Sequence, residues 1–524
     1  MDHSTHHGSI YIPDNEYLDR VKRAAALLCR EGLDAMIVNG TESDYANPRY
    51  FSGYWPLFER AGVAISAGGD AALMCGPESR HFASDRSRLD KVFVLKEYRE
   101  GADPSYPELE PDTFHDVFKA IGVTGKKLRI GVASFLDTSV TIYEGIRAAF
   151  PDAELVRADH IMTEMRQIKS PAELACLREG YRIAELASQQ VIREIRPGMT
   201  ELQMVGVAER VVYEEGAEYE GLPMYVFSEA STRHAISRSS YRTFQKGDIV
   251  QLNLSAKIDG YSAAIGYPVI LGKLEGKRRD IVLFCRDAHF WTQEQVRAGV
   301  PVADVAKRFY DLYVEKGYEK NYVYGPLHST GLIEVEAPWV ETSSDYDFLP
   351  NMTYQIDTYI SSDELGFGVR WEKGIAVTET GCEVLSPEIG SSTSWNSEKG
   401  SAGMYGKKDW FFPDAELPPK GSNPDLPGHE SIIMLNPNGE DAEVDIVLHW
   451  TDRAPSEPLK VVVGAGRVNC VRCMAPDGIL GMKVEVGEQY AIALHSSVPI
   501  VAQYGRLDMR SGPMAFYTTP GYCE

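Results

Sequence analysis

The sequence predicts an α+β protein in three parts: an α/β segment, a segment of helices and antiparallel strands, and an all-β segment. Three observations carry that expectation. From Asn15 to Asp159, short apolar runs alternate with stretches of helical period. From Met165 to about Leu385, helices and strands come in blocks. After a Ser- and Gly-rich stretch, Ser391 to Gly403, apolar residues recur at every second position. The implied domains are 1–160, 161–390 and 405–524, with 391–404 as a linker. A chain of 524 residues is long enough for three such cores.

Each element follows from a local signal. Glu16 to Glu31 has apolar residues at helical spacing, and Gly32 suits the C-cap. Asp34 to Asn39 reads as a buried strand. Gly62–Ser66 and Ala71–Cys75 form a hairpin around Gly68, Gly69 and Asp70. Leu128 to Ala133 is another strand, Thr138 to Phe150 a helix, and the sheet is mixed. The second part opens with Ser170 as N-cap, Pro171 at the first helical position and Glu173 completing a capping box. That helix runs to about Ile195, where Pro197-Gly198 stops it. Thr200 caps a further helix through Glu215. Strands fill Ile249 to Ile270, helices Lys277–Arg297 and Val302–Lys316, and strands return at Met352–Ile360 and Gly374–Thr378. In the third part, Ser431–Leu435, Ala442–His449, Leu459–Val463, Tyr490–His495 and Ile500–Tyr504 have strand character and suggest a β-sandwich.

Composition narrows the function. Acidic residues outnumber basic ones 76 to 53, giving a net charge of −23. Such a surface repels phosphate backbones and anionic membranes, so neither nucleic acid nor membrane is an expected partner. No apolar run reaches the roughly 20 residues a bilayer span needs. A cytoplasmic protein with a small-molecule substrate is the expectation. The eight cysteines are scattered, which fits a reducing compartment. Cys470 and Cys473 form a lone C-x-x-C without the second pair that a four-thiolate zinc site requires. His3, His6 and His7 cluster at the N-terminus and read as a frayed end.

Polar groups with chemical capacity fall in four places: Arg233-His234, Leu327-His328-Ser-Thr-Gly331, Gln355-Ile-Asp357, and Gly368-Val-Arg370-Trp-Glu372. Alternation puts Arg370 and Glu372 on one strand face. Two histidines, two carboxylates and an arginine suit an acid–base site or a metal site.

The order of these motifs resembles a known family. Lys169-Ser-Pro-Ala-Glu173, Ile195-Arg-Pro-Gly-Met-Thr200, Lys246-Gly-Asp248, His328-Ser-Thr-Gly331, Glu336-Ala-Pro338 and Gly368–Glu372 match, in sequence, motifs of the creatinase and methionine/proline aminopeptidase family, the "pita-bread" fold. The metallopeptidases of that family hold two metal ions with two Asp, one His and two Glu. The resemblance places those positions at Asn253, Ala264, His328, Asp357 and Glu372. Asn253 is neutral and Ala264 offers no donor. Val335 stands where a second peptidase histidine belongs. The expectation is therefore no metal and no cofactor, with aminopeptidase activity disfavoured.

Among the relatives, creatinase is similar in detail. It shares Asn253, the segment Gly260–Ala264, His328-Ser329, and His234 at its general acid/base position. Tyr50-Phe-Ser-Gly53 and Phe58-Glu-Arg60 resemble its N-terminal domain, where the Phe and Arg bind substrate carboxylate from the neighbouring subunit. A homodimer is thus implied. The resemblance implies a metal-independent hydrolase that cleaves a C–N bond in a small amidino, amide or amino-acid-like compound. His234, His328, Asp357 and Glu372 would be catalytic, and Phe58, Arg60, Asn253, Tyr261, Glu341 and Arg370 would bind substrate. Two departures argue against creatine itself: Gly266 replaces a Glu, and Glu341 stands where a second Arg is expected. The alternatives are a dimethylsulfoniopropionate-lyase-like enzyme, an Xaa-Pro aminopeptidase, or a binding protein without catalysis.

The C-terminal part resembles the sensory rhodopsin transducer family through Trp410-Phe-Phe-Pro-Asp414, Leu417-Pro-Pro419, His429-Glu430, Leu435-Asn-Pro437, Asp441–Val444, Asp452-Arg453 and Arg506-Leu-Asp508. His429, Glu430, Arg453, Arg506 and Asp508 form either a ligand site or a structural network.

Overall fold

The computed structural model describes residues 8–100, 110–364, 366–386, 406–422, 425–510 and 515–523. The proposed linker at 391–404 and the N-terminal histidines lie outside them. The chain forms two compact units, 1–398 and 399–524. No helix among the described residues is long and apolar enough to cross a membrane.

The first unit begins with α1 (Asp14–Glu31), closed by Gly32 at φ 64°, the left-handed conformation that glycine tolerates best. A mixed six-stranded sheet follows. Its strands are β1 (Ala35–Gly40), β2 (Ala61–Ser66), β3 (Ala71–Cys75), β4 (Val92–Val94), β5 (Arg129–Ala133) and β6 (Glu154–Arg157), in the order β4-β3-β2-β1-β5-β6. The β1–β2 and β2–β3 pairs are antiparallel, whereas β1–β5, β5–β6 and β3–β4 are parallel. The helices α2 (Ala46–Ser52), α3 (Arg80–Arg86), α4 (Phe114–Ala120), α5 (Val140–Ala149) and α6 (Asp159–Arg166) connect them.

The remainder of this unit opens with α7 (Pro171–Glu194) and α8 (Glu201–Glu214). Both N-termini carry the full reciprocal capping box, Ser170 with Glu173 and Thr200 with Gln203. Each such cap is worth about 1 kcal/mol. An antiparallel sheet then forms from β7 (Tyr225–Phe227), β8 (Ile249–Ile258), β9 (Tyr261–Ile270), β10 (Leu327–Ser329), β11 (Glu336–Trp339), β12 (Thr353–Ser362) and β13 (Phe367–Val377), in the order β11-β10-β12-β13-β9-β8-β7. The short β14 (Cys382–Val384) pairs with β13. Two helices, α9 (Gly276–Gln295) and α10 (Val302–Glu315), separate β9 from β10. Every residue of β8, β9 and β13 is buried, so these strands are covered on both faces.

One apolar core runs through both parts of the first unit, from Tyr17 and Leu28 to Leu254 and Val369. A buried polar knot crosses the same boundary. The Arg20 guanidinium lies 4.0 Å from the Tyr50 ring centroid, donates to the Tyr261 hydroxyl at 3.0 Å and pairs with Glu173 at 3.2 Å. Glu173 in turn accepts from Tyr261 at 2.5 Å. A buried arginine is tolerated because its fork is met by both a carboxylate and ring faces.

The second unit is all-β. Its long strand, Gln489–Asp508, pairs over its first half with Lys407–Glu416 and Ala442–Trp450. Over its second half it pairs with His429–Asn436 and Ala515–Pro520. The two strands read from sequence at Tyr490–His495 and Ile500–Tyr504 are therefore one continuous strand serving both halves of the β unit. Glu430 is buried at its centre, accepting from the hydroxyls of Tyr490 and Tyr504 and from the Glu416 N–H at 2.8 Å. Arg453 pairs with Glu488, and Arg506 and Arg510 face Glu416. Cys470 is exposed and Cys473 buried.

Candidate active site

Strand register assembles the site. Tyr225 stands opposite Asn253, Asn253 opposite Gly266, Gly266 opposite Glu372, and Glu372 opposite Asp357. These five residues form one row across β7, β8, β9, β13 and β12, and the pleat turns their side chains to the same face. His328 joins the row from β10, where it pairs with Gln355, two residues before Asp357.

All residues of the row but Gly266 line a cavity of about 710 Å³ together with Leu222, Ile236, Tyr324, Glu334, Trp339 and Arg370. Within it, His328, Asp357 and Glu372 each offer a donor atom, and these atoms lie within 4.8 Å of one another. Glu334 adds a fourth: its Oε1 is 3.3 Å from His328 Nε2, and Glu372 Oε1 is 4.0 Å from the same nitrogen. Arg370 closes the opposite side. Its Nε lies 3.2 Å from Asp357 Oδ1, and its other nitrogens donate to the Tyr225 hydroxyl, to the Tyr324 hydroxyl at 2.6 Å and to the Ala235 carbonyl at 2.8 Å. Gln355 Nε2 donates to the Ala264 carbonyl at 2.6 Å and to Glu372 at 3.2 Å, fixing that carboxylate.

The electrostatics are those of crowded, buried acids. Burial first, then the Asp357 and Glu334 charges, hold the Glu372 carboxyl well above the usual carboxylate range. Burial and Asp357 also raise Glu334. Two arginines, Arg238 and Arg370, against four carboxylates, Glu334, Glu341, Asp357 and Glu372, leave the cavity short of positive charge.

The structure relocates several residues expected at this site. His234, expected to shuttle protons, is exposed and outside the cavity lining, although Ala235 to Arg238 line it. A turn with His234 N–H bonded to the Ser231 carbonyl precedes that lining. Tyr261 is on the opposite face of β9, because its spacing from Ala264 and Gly266 is odd, and it belongs to the Arg20–Glu173 knot. Phe58 and Arg60 line an adjoining cavity, which shares Leu222, Pro223, Arg238, Glu334 and Val335 with the first. Asn253, Glu341, Asp357, Arg370, His328 and Glu372 do line the main cavity. Sequence reading missed Glu334. It sits in an irregular stretch between β10 and β11, where no period orients side chains. The available signal was an acid beside Val335, at the position expected to hold histidine. Glu336, part of a sequence motif, instead pairs with Lys169 at 3.0 Å and with Arg166, outside the cavity.

The donor set fits one divalent ion and not two. Buried Asn253 Oδ1, Asp357 Oδ1 and Glu372 Oε2 have no hydrogen-bond partner and belong to the row beside His328. Oxygens of this kind with one imidazole are the ligands a hard or borderline cation takes. Ala264, where a second ion would need a carboxylate, supplies none.

Comparison with known proteins agrees with this geometry. The chain matches the Creatinase/Prolidase N-terminal domain over residues 20–168, Metallopeptidase family M24 over 175–379 and the Anabaena sensory rhodopsin transducer over 405–523. It is similar to the Xaa-Pro dipeptidase of Pyrococcus furiosus, 22% identical over 70% of this chain and 97% of that protein. It is also similar to the creatinase of a Bacillus species, 25% identical over 61% of this chain and 75% of that protein. The crystal structure of the prolidase from Pyrococcus horikoshii superposes with a TM-score of 0.60 and 22% identity, over 70% of this chain and 98% of that one. Two expectations are thereby corrected. The metal-independent, creatinase-like C–N hydrolase does not stand, and neither does the exclusion of aminopeptidase-type chemistry. The Pyrococcus dipeptidase and prolidase are matched along nearly their whole length, the creatinase along three quarters. The loss of carboxylates at Asn253 and Ala264 does not empty the site, because His328, Asp357 and Glu372 still converge. The chain carries a Creatinase/Prolidase N-terminal domain, a metallopeptidase M24 domain of pita-bread fold and a C-terminal sensory-rhodopsin-transducer domain, in that order.

Proposed function

We propose that this protein is a hydrolase of short peptides, of the Xaa-Pro dipeptidase kind, with one divalent ion held by His328, Asp357 and Glu372 and with Asn253 and Glu334 beside them. The observation that carries the reading is the convergence of three ligand atoms within 4.8 Å, beside buried Asn253 Oδ1 and Glu372 Oε2, which have no hydrogen-bond partner. When bound, such an ion supplies Lewis acidity and lowers the pKa of a coordinated water.

The chain's own residues do the rest. Arg370 holds Asp357 in place and, with the Tyr225 and Tyr324 hydroxyls, presents a polar wall to a substrate carbonyl or carboxylate. Glu334, its carboxyl raised by burial to about 7, takes and returns a proton beside His328 near neutral pH. Leu222, Pro223, Ile236, Leu327 and Trp339 form the apolar side of the cavity, which suits an apolar residue next to the scissile bond.

The test is metal content against turnover. Protein dialysed against a chelator should lose hydrolysis of Xaa-Pro dipeptides and regain it on titration with manganese or zinc, saturating near about one ion per chain. Glu372→Gln should lose both the ion and the activity. Full turnover in the chelated protein would overturn the reading.

A further inference from the structure

The second cavity, about 650 Å³, holds a feature the peptidase reading does not use. Lys257 lies on β8 with only 4% of its surface exposed, yet its amine lines this cavity. No carboxylate among the described residues pairs with the amine. It is held instead by aromatic faces, with Nζ 4.0 Å from the Trp55 ring centroid, 4.5 Å from Tyr45 and 5.5 Å from Tyr219. Rings favour a cation but do not neutralise it. A buried amine in a cavity wall, with Glu218 and Glu220 acting on it only from beyond ion-pair distance, is half of an ion pair.

The surroundings supply positive charge and an apolar floor. Arg60 and Arg238 line the same cavity, and Arg60 Nε is buried without an acceptor. Arg49 stands nearby but is taken by Glu218 at 2.9 Å. Three carboxylates line the cavity, and each has a partner: Glu42 accepts from Phe58 N–H, Glu220 from Met224 N–H, and Glu334 faces His328. Burial raises the Glu220 carboxyl, which reduces its negative charge. Burial pushes the Lys257 amine down to about 7, a strain that an anion would relieve. Lys257 also shares a strand face with Asn253, four residues away, so their Cα atoms are about 13 Å apart along β8.

We propose that this cavity is a carboxylate subsite, in which a small organic acid places its charge on Lys257 and its flat or apolar part against Trp55, Tyr45 and Phe58. The acid is either the C-terminal end of a peptide that reaches the main cavity or a separate small molecule. Only the first source rests on the hydrolase reading.

The test uses the chelated full-length chain, so that binding is measured without turnover and its failure is separable from failure of the peptidase reading. Benzoate and benzamide, nearly isosteric, are titrated by calorimetry into wild type and into Lys257→Met. Benzoate should bind wild type at least about tenfold more tightly than benzamide, and the variant should bind the two alike. Equal binding to wild type, or a preference that survives in Lys257→Met, would overturn the proposal. A third measurement needs no variant: benzoate should slow reductive methylation of Lys257, read by peptide mass spectrometry, by about tenfold, and benzamide should not. Equal methylation rates would also overturn it. The source is then read from kinetics with metal restored. If kcat/KM for tri- and tetrapeptide acids falls in Lys257→Met while that for the C-terminal amides holds, the acid is the substrate's own end. If both hold, it is a separate ligand.

Discussion

At the residue scale, the site depends on an absence. Gly266 sits between Asn253 and Glu372 in the cross-sheet row, and a Cβ there would strike Asn253 Oδ1 and lie 3.1 Å from Glu372 Cβ and Oε2. The missing side chain is what lets the two donors approach. Gly266→Ala should therefore weaken ion binding about tenfold or more and cost about 1–3 kcal/mol of stability from overpacking. Metal titration and urea unfolding would register both, and an unchanged ion affinity would show that Asn253 and Glu372 do not act together. The same scale shows how far residues could be read without coordinates. Arg370 and Glu372 were legible because alternation along one strand fixes the face they share, and His328 and Asp357 were legible through the family motifs they resemble. Tyr261 was legible in principle, since its odd spacing from Ala264 excludes it from that face. His234 and Glu334 were not legible: both lie in stretches without a period, and only the path of the chain decides which one enters the cavity.

At the element scale, α9 is pinned to β13 by His289, which is fully buried. Its Nδ1 lies 3.2 Å from the Trp371 carbonyl, so the neutral ring donates there, while Nε2 has no partner. Burial, reinforced by the Lys373 charge, pushes this histidine down to about 3. The unfolded histidine titrates near about 6.5. Between the two values the unfolded chain binds a proton that the folded chain refuses, so stability falls as pH drops from about 6.5 towards 3, by a few kcal/mol in all. His289→Met should flatten that acid limb in a series of thermal melts. An acid limb of unchanged slope would assign the loss to other groups. Elements of this kind were the easiest part to read from sequence. The helix caps at Ser170 and Thr200 and the strand block from Ile249 to Ile270 came within a residue or two, because each carries its own start or stop signal. The long strand Gln489–Asp508 was read as two pieces because Ser496, Ser497 and Pro499 resemble a turn. Pairing with four neighbouring strands overrides that local preference.

At the scale of the whole molecule, burial separates the chain into parts that should fold independently. The core of residues 399–524 is built from Trp410, Phe412, Ile446, Leu494 and Tyr504 and includes no residue of the first unit. The first unit is different. Its apolar core and the Arg20–Glu173–Tyr261 knot join the N-terminal sheet to the antiparallel sheet, so the boundary near residue 160, plain in sequence, is not a boundary in burial. Residues 1–398 expressed alone should therefore fold, bind about one ion and keep kcat/KM within about twofold of the full chain. Residues 405–524 alone should give a β-type circular dichroism spectrum. A break at 160 should fail, because it parts Arg20 from Glu173 and Tyr261, leaving it only Glu16 at 2.7 Å, and exposes one face of α7. Removing one partner of a buried ion pair costs about 3–5 kcal/mol, a large share of a domain's stability. Arg20→Met in the 1–398 fragment isolates that knot: its denaturant midpoint should fall well below that of the unaltered fragment, with the ion content unchanged in the folded fraction. A midpoint that did not move would mean the apolar core alone joins the two sheets.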